Sequence, residues 1–201
     1  MADPIHIVAA VPVAVWLGLL FFRGGFWRAD QWLDAEGTEP DPWPSVVAVV
    51  PARDEAPTVG RAVASLLAQD YPGPFSVIVV DDASRDGTAD AARAAAAGDE
   101  RLVIVAGRPL AEGWVGKLWA MRQGLEAAFG GVPDAAYVLF TDADIEHQPP
   151  MLRSLVAKAE GERLDLVSLM ALLRCRSPWE RLLVPAFVFF FQMITSNCYR
   201  E

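Results

Sequence analysis

Four short runs of apolar, mostly β-branched residues punctuate the chain, at 46–50, 77–80, 102–105 and 137–140. None alternates with polar residues, the pattern of strands buried on both faces of a sheet. Helical spacing fills the gaps. Val59, Ala62, Val63, Leu66 and Leu67 mark one face of a helix over 58–69, closed by Pro72, Gly73 and Pro74. An alanine-rich helix follows the turn at 84–88 and runs to about Ala97. A third helix covers about 117–129, with Leu118, Met121, Leu125 and Phe129 on one side. Pro149 and Pro150 suit the first turn of a helix reaching about Glu160, and 164–169 reads as a fifth strand. Strands alternating with helices predict an α/β fold with a mostly parallel sheet and helices on both faces.

The flanks differ from this alternation. Residues 5–22 are apolar apart from His6, with Pro12 inside, and Arg23 and Arg28 come directly after. The run is at the short end of what spans a bilayer. Trp16, Trp27 and Trp32 suit interfacial aromatics, and the two arginines put the C-terminal side of the run in the cytosol. The expectation is an N-terminal transmembrane helix over 1–24, anchoring a cytosolic domain to the cell inner membrane. A cleaved signal peptide fits less well, because the segment before the run has no Lys or Arg and carries Asp3. A linker over 25–44 is polar and proline-rich at its end. A compact domain is expected over 45–177. Residues 178–201 hold a second apolar run, 182–194, with Pro185 inside; it is too short to span a bilayer alone. It is expected to lie in the membrane interface or to pack under the domain.

Composition sharpens this picture. Hydrophobic residues make up 53% of the 201, high enough that contact with lipid is expected. The formal net charge is -9, which argues against a nucleic-acid partner, since phosphate binding needs a basic face. It leaves nucleotide-sugars open, because a bound divalent cation can supply local positive charge. Cys175 and Cys198 are the only cysteines and have no motif spacing, so neither a disulfide framework nor a cysteine zinc site is expected.

The candidate chemistry lies just after the apolar runs. Asp142 and Asp144 come after the run at 137–140. Residues two apart in extended chain point the same way, so both carboxylates face one site, where a hard divalent ion can bridge protein and diphosphate. Asp81 and Asp82 end the second run, ahead of Ser84, Arg85, Asp86, Gly87 and Thr88. A carboxylate there can accept the N–H of a uracil ring, and the later residues build a turn and helix cap; Asp81 or Asp82 faces the ligand. Pro51, Arg53 and Glu55 come after the first run and can line a nucleotide pocket, or Asp54 and Glu55 can serve as a capping segment. Lys117, in Gly113-Trp114-Val115-Gly116-Lys117 at a helix start, suits a phosphate, or is a solvated surface lysine. Ligands of open α/β sheets bind outside the carboxyl ends of strands, where these segments converge. No phosphate-loop or dinucleotide glycine fingerprint occurs. His6 and His147 are the only histidines, so Ser/His/Asp catalysis is poorly supplied.

Taken together these segments resemble the family 2 glycosyltransferases of the GT-A fold. V-V-A-V-V-P-A-R-D-E-A from Val46, V-I-V-V-D-D-A-S-R-D-G-T from Val77 and F-T-D-A-D from Phe140 match that family's opening pattern in order and spacing. G-W-V-G-K-L-W-A from Gly113 and L-L-V-P-A-F-V-F-F-F-Q from Leu182 are similar to the lipid-directed, hopanoid-biosynthesis-associated branch. The resemblance implies an inverting transferase that moves a sugar from a UDP-sugar to a lipid acceptor. Asp82, with or without Asp81, would hold the base and ribose. Asp142 and Asp144 would hold Mg²⁺ or Mn²⁺ and the donor diphosphate, with Lys117 near the phosphates. The family places its catalytic base in an acceptor half after this point. The resemblance therefore implies a C-terminally truncated chain whose base lies beyond Glu201. The alternative is a non-catalytic, membrane-anchored nucleotide-sugar-binding fragment.

Overall fold

The computed structural model describes residues 4–22, 33, 39–131 and 135–195. They divide into two compact units, 33–169 and the flanks 1–32 with 170–201. In chain order the larger unit contains β1 (Val46–Ala52), α2 (Ala56–Leu67), β2 (Phe75–Asp81), α3 (Thr88–Ala96), β3 (Leu102–Ala106), α4 (Gly116–Gly131), β4 (Tyr137–Phe140) and α5 (Met151–Glu162). The smaller unit holds α1 (Pro4–Phe22) and α6 (Pro178–Thr195). Arg23, Trp27, Arg28, Trp32 and Cys198 lie outside the described residues.

The four strands form one parallel sheet in the order β3-β2-β1-β4. The chain steps outward from β1 to β2 to β3, then returns to the far side of β1. Right-handed crossovers place the connecting helices of the outward steps on one face and that of the return step on the other. The packing obeys this rule. Val46, Ala48 and Val50 of β1 share a core with Val59, Val63 and Leu66 of α2, Ala92 of α3 and Leu152 of α5. The intervening Val47 and Val49 face Ala120 and Ala128 of α4. With both faces covered, β1 is apolar throughout, and that is why it reads as a run rather than an alternation.

The contact face of α4 is made mostly of small residues with one buried glutamine, not of the large apolar side noted in the sequence. Ala120, Gln123, Gly124 and Ala128 are buried, while Leu118 and Phe129 are exposed. Close approach explains the choice. A Cβ on Gly124 would sit 2.3 Å from Val49 Cγ1 and 3.0 Å from Val80 Cγ2. Gly124→Ala should therefore destabilise the fold by about 1–3 kcal/mol through overpacking, against a helix-propensity gain of at most about 1 kcal/mol. Denaturant unfolding would check the sign, and a net stabilisation would refute this packing.

The fifth strand is not formed. Residues 164–169 make no ladder, because α5 closes through Arg163 at φ 57° and the Leu164 N–H donates to Ala159 O at 2.8 Å. Leu164, Leu166 and Val167 instead border a gap of about 100 Å³ beside Leu139 and Val156. Leu164 and Val167 are half-buried there, while Leu166 and Leu169 stay exposed.

The loop between β4 and α5 is fixed by the end of α2. Buried Gln69 donates from Nε2 to Gln148 O at 2.9 Å and to Ser65 O at 3.0 Å, and its Oε1 accepts from the Leu152 N–H at 2.9 Å. That last bond satisfies one of the unpaired donors in the first turn of α5.

In the smaller unit the transmembrane expectation needs correction. A helix is present over Pro4–Phe22, but among the described residues no helix is long and apolar enough to cross a membrane. Trp16 of α1 meets Phe189 of α6 with ring centroids 6.0 Å apart. Both helices otherwise expose large apolar side chains, Phe21, Phe22, Trp179 and Phe187 among them.

Candidate functional site

All four strands run the same way, so their carboxyl ends share one edge. Ala52 and Asp81 are neighbours there in the β1–β2 register. The helices that come after β1 and β3 lie on opposite faces, which opens a crevice where β1 meets β4, the switch point at which open α/β sheets bind ligands. A cavity of about 340 Å³ occupies that place. The loop after β1 contributes Pro51, Ala52, Arg53 and Glu55; the end of β2 contributes Asp82. The start of α4 contributes Gly116, Lys117 and Ala120, and the turn after β4 contributes Asp142, Ala143 and Asp144.

Ala143 explains how the last three are aimed. It is 4% exposed and belongs to the hydrophobic core. With the middle residue turned inward, Asp142 and Asp144 are both left exposed on the cavity side. The Lys117 ammonium lies 2.7 Å from Asp142 Oδ1, with both side chains about half exposed. Across the cavity Arg53 Nη1 stands 3.5 Å from Asp82 Oδ2. Glu55 Oε2 accepts from the Thr58 hydroxyl at 2.7 Å.

Four carboxylates, Glu55, Asp82, Asp142 and Asp144, thus face two cations, Arg53 and Lys117. Such a cavity repels a diphosphate unless further positive charge enters with it. Among the described residues no group of three or more His, Cys, Asp or Glu side chains could hold a metal ion. The fit is to a hard divalent ion of the Mg²⁺ or Mn²⁺ kind, which takes one or two carboxylates and completes its shell with phosphate oxygens and water.

Not every residue singled out in the sequence reaches the cavity. The side chain of Asp81 does not: its Oδ1 accepts the Ser84 N–H at 3.0 Å and so shapes the turn after β2. His147 is half-buried, with Nε2 3.0 Å from Thr141 Oγ1, and its backbone N–H donates to Ser65 Oγ at 3.0 Å. Burial pushes its imidazole below the ordinary value, leaving it neutral near pH 7. It braces the turn after β4 and does not line the cavity.

The sequence model of the family described as Glycosyl transferase family 2 matches residues 47–196, most of the chain. The chain belongs to glycosyl transferase family 2. An N-acetylglucosaminyltransferase of Mesorhizobium japonicum is 34% identical over 125 residues, 61% of this chain and 27% of that protein. Glycosyltransferase AglE of Haloferax volcanii is 27% identical over 125 residues, 62% of this chain and 38% of its own length. The chain therefore spans about a quarter to two fifths of the lengths of these relatives. Among solved structures, the mannosyltransferase PcManGT of Pyrobaculum calidifontis, in complex with GDP-Man and Mn²⁺, superposes with a TM-score of 0.56 at 27% identity. The match covers 77% of this chain and 43% of that one. The fold is accordingly GT-A-like.

In this family 2 glycosyltransferase domain, sequence reasoning missed Ala52, Gly116, Ala120 and Ala143 as cavity residues. They carry no reactive group. Smallness beside charged neighbours is a weak signal for them, since a Cβ on Gly116 would make only ordinary contact, 3.5 Å from Asp82 Oδ2.

Proposed function

We propose that this chain is the donor-binding part of an inverting, metal-dependent glycosyltransferase. It takes a nucleoside-diphosphate sugar, of UDP type, and the acceptor is a lipid of hopanoid type. The observation that carries the reading is the pair Asp142 and Asp144, aimed by a core-anchored Ala143 into an acid-rich cavity at the switch point of the sheet. Belonging to glycosyl transferase family 2 and the fold shared with a GDP-Man- and Mn²⁺-bound mannosyltransferase support the same reading.

In this assignment Asp82 accepts the ring N–H of the base, and Arg53 holds that carboxylate in place. Pro51 and Glu55 border the nucleoside. Lys117, on the first turn of α4, meets the phosphates together with the dipole of that helix. A Mg²⁺ or Mn²⁺ ion held by Asp142 and Asp144 would supply charge to the diphosphate as it leaves. With the four cavity carboxylates committed to nucleotide or cation, the base that deprotonates the acceptor hydroxyl is assigned outside them.

A lipid acceptor is supported by the rim. Trp114, Val115 and Leu118, next in the chain to cavity residues Gly116 and Lys117, are exposed, as is Leu110 in the preceding loop. Independently, the exposed apolar side chains of α1 and α6 suit the surface of a membrane, and the cytosolic side is assigned from Arg23 and Arg28, which come directly after the first apolar run. Flotation with phospholipid vesicles should carry the chain upward, and a chain that stays at the bottom at low and high salt contradicts this part.

The test of function is calorimetry with UDP-glucose, UDP-N-acetylglucosamine and GDP-mannose, with Mn²⁺ and with chelator. Binding of a UDP-sugar that is stronger with Mn²⁺ is expected. Failure of all three donors to bind would refute the reading, and preference for GDP-mannose would overturn its nucleotide.

A further inference from the structure

Two loops border the nucleoside side of the cavity, one after β1 and one after β2, and they are tied to each other rather than only to their own helices. Thr88 is at the centre. It is fully buried, and its hydroxyl accepts the Glu55 N–H at 2.9 Å while donating to Asp86 Oδ1 at 2.5 Å. The Asp86 carboxylate serves both helix starts. Oδ1 accepts the Thr88 N–H at 3.1 Å in α3, and Oδ2 accepts the Ala56 N–H at 2.9 Å in α2. The bond from the Thr88 hydroxyl, then that from the Ala56 N–H, holds this carboxyl below the usual carboxylate range.

The tie is reciprocal. Asp54 N–H donates to Ser84 Oγ at 3.0 Å, and Asp54 Oδ1 accepts the Arg85 N–H at 2.8 Å. Each loop also contains one non-glycine residue in the left-handed region, Asp54 at φ 53° and Ala83 at φ 57°. Such residues persist only where their surroundings over-determine them. Here one lies directly before Glu55 and the other directly after Asp82, so the strain sits at the two points that aim cavity side chains. Helix capping alone would require neither the cross-loop bonds nor the strained residues.

We propose that Thr88 and Asp86 are positioning residues for the donor: they lock the two loops together, so that Arg53, Glu55 and Asp82 meet the nucleotide in one preset geometry. The inference rests on the functional reading above. Neither residue lines the cavity; both act through the loops they join.

Affinity should then track the hydroxyl of Thr88 and not the stability of the fold. Thr88→Val keeps the volume but leaves the Glu55 N–H without its acceptor. Thr88→Ser keeps the hydroxyl and loses a buried methyl group. Calorimetry with UDP-glucose and Mn²⁺, well below the unfolding temperature of every variant, should show roughly tenfold weaker binding for Thr88→Val, the scale of one unsatisfied buried donor. Thr88→Ser should bind within about twofold of the unaltered chain, although it unfolds at a lower temperature. Asp86→Asn, which turns an amide toward the Ala56 N–H, should weaken binding like Thr88→Val and serves if that variant does not fold. Asp99→Ala is the stability control, since Asp99 caps the Arg101 N–H at the opposite edge of the sheet; it should lower the unfolding temperature and leave affinity unchanged. Hydrogen exchange at the Glu55, Ala56 and Arg85 amides should quicken together in Thr88→Val. Affinity that tracks unfolding temperature across the four variants, or a Thr88→Val chain that binds as tightly as the unaltered one, overturns the interlock. An unaltered chain that binds no nucleotide-sugar overturns the functional reading itself, and this inference with it.

Discussion

Replacing both Asp142 and Asp144 by Asn should reduce donor affinity in Mn²⁺ to the value measured with chelator, a loss on the order of 10²- to 10⁴-fold if each carboxylate supplies a charge-assisted contact of about 1.5–3 kcal/mol. The two positions are not equivalent. Asp142 is paired with Lys117 at 2.7 Å, so a cation must share or displace that ammonium. An exposed pair of this kind is worth at most about 1 kcal/mol, so the competition is modest. In Asp142→Asn the released Lys117 can turn to the phosphates and recover part of the loss. Asp144 forms no ion pair among the described residues, and nothing comparable offsets its removal. Asp144→Asn should therefore cost more than Asp142→Asn. Titration of a UDP-sugar in Mn²⁺ against each single variant would check the order, and equal losses would argue against the Lys117 exchange.

Asp82→Ala should weaken UDP-sugar binding by roughly 10- to 100-fold, the cost of removing a hydrogen bond to a charged acceptor, while the ratio of affinities with and without Mn²⁺ stays unchanged. Only 17% of this side chain is exposed, so solvent replaces the lost acceptor poorly. The released Arg53, at 66% exposure, remains solvated and adds little further penalty. Asp82→Asn keeps one acceptor oxygen and should lose less. Asp81→Ala separates the two neighbours, because it removes the acceptor of the Ser84 N–H and should act mainly on stability. Calorimetry and thermal unfolding of the three variants decide this. If Asp81→Ala weakens binding more than Asp82→Ala at equal stability, the base-side assignment is reversed.

The sequence revealed elements wherever burial on both faces left an unbroken apolar run, as in β1 and β2, and wherever a helix buried branched residues at regular spacing, as in α2. It was misleading where packing depends on smallness. The buried side of α4 carries Ala120, Gly124 and Ala128, while its large apolar residues Leu118 and Phe129 stay exposed. It was misleading again at 164–169, where apolar residues border a gap beside β4 and α5 without pairing. Periodicity does not distinguish those uses. The chemistry-bearing residues of the cavity were legible because parallel strands must deliver their carboxyl ends to one edge. The choice between Asp81 and Asp82 was not, since it depends on which carboxylate the Ser84 N–H takes. The bond from the Glu55 N–H to Thr88 across the loops was equally hidden, because it joins residues 33 apart in the chain.

The central claim is that this edge of the sheet gathers a divalent cation and a nucleoside diphosphate together. Electron paramagnetic resonance of Mn²⁺ tests it most directly, since the signal of the free ion falls on binding. At concentrations where neither the chain nor UDP-glucose alone takes up the ion, the two together should quench the signal, and the chain with Asn at 142 and 144 should restore it. Quenching that persists in that variant, or no quenching with chain and UDP-glucose combined, would contradict the account.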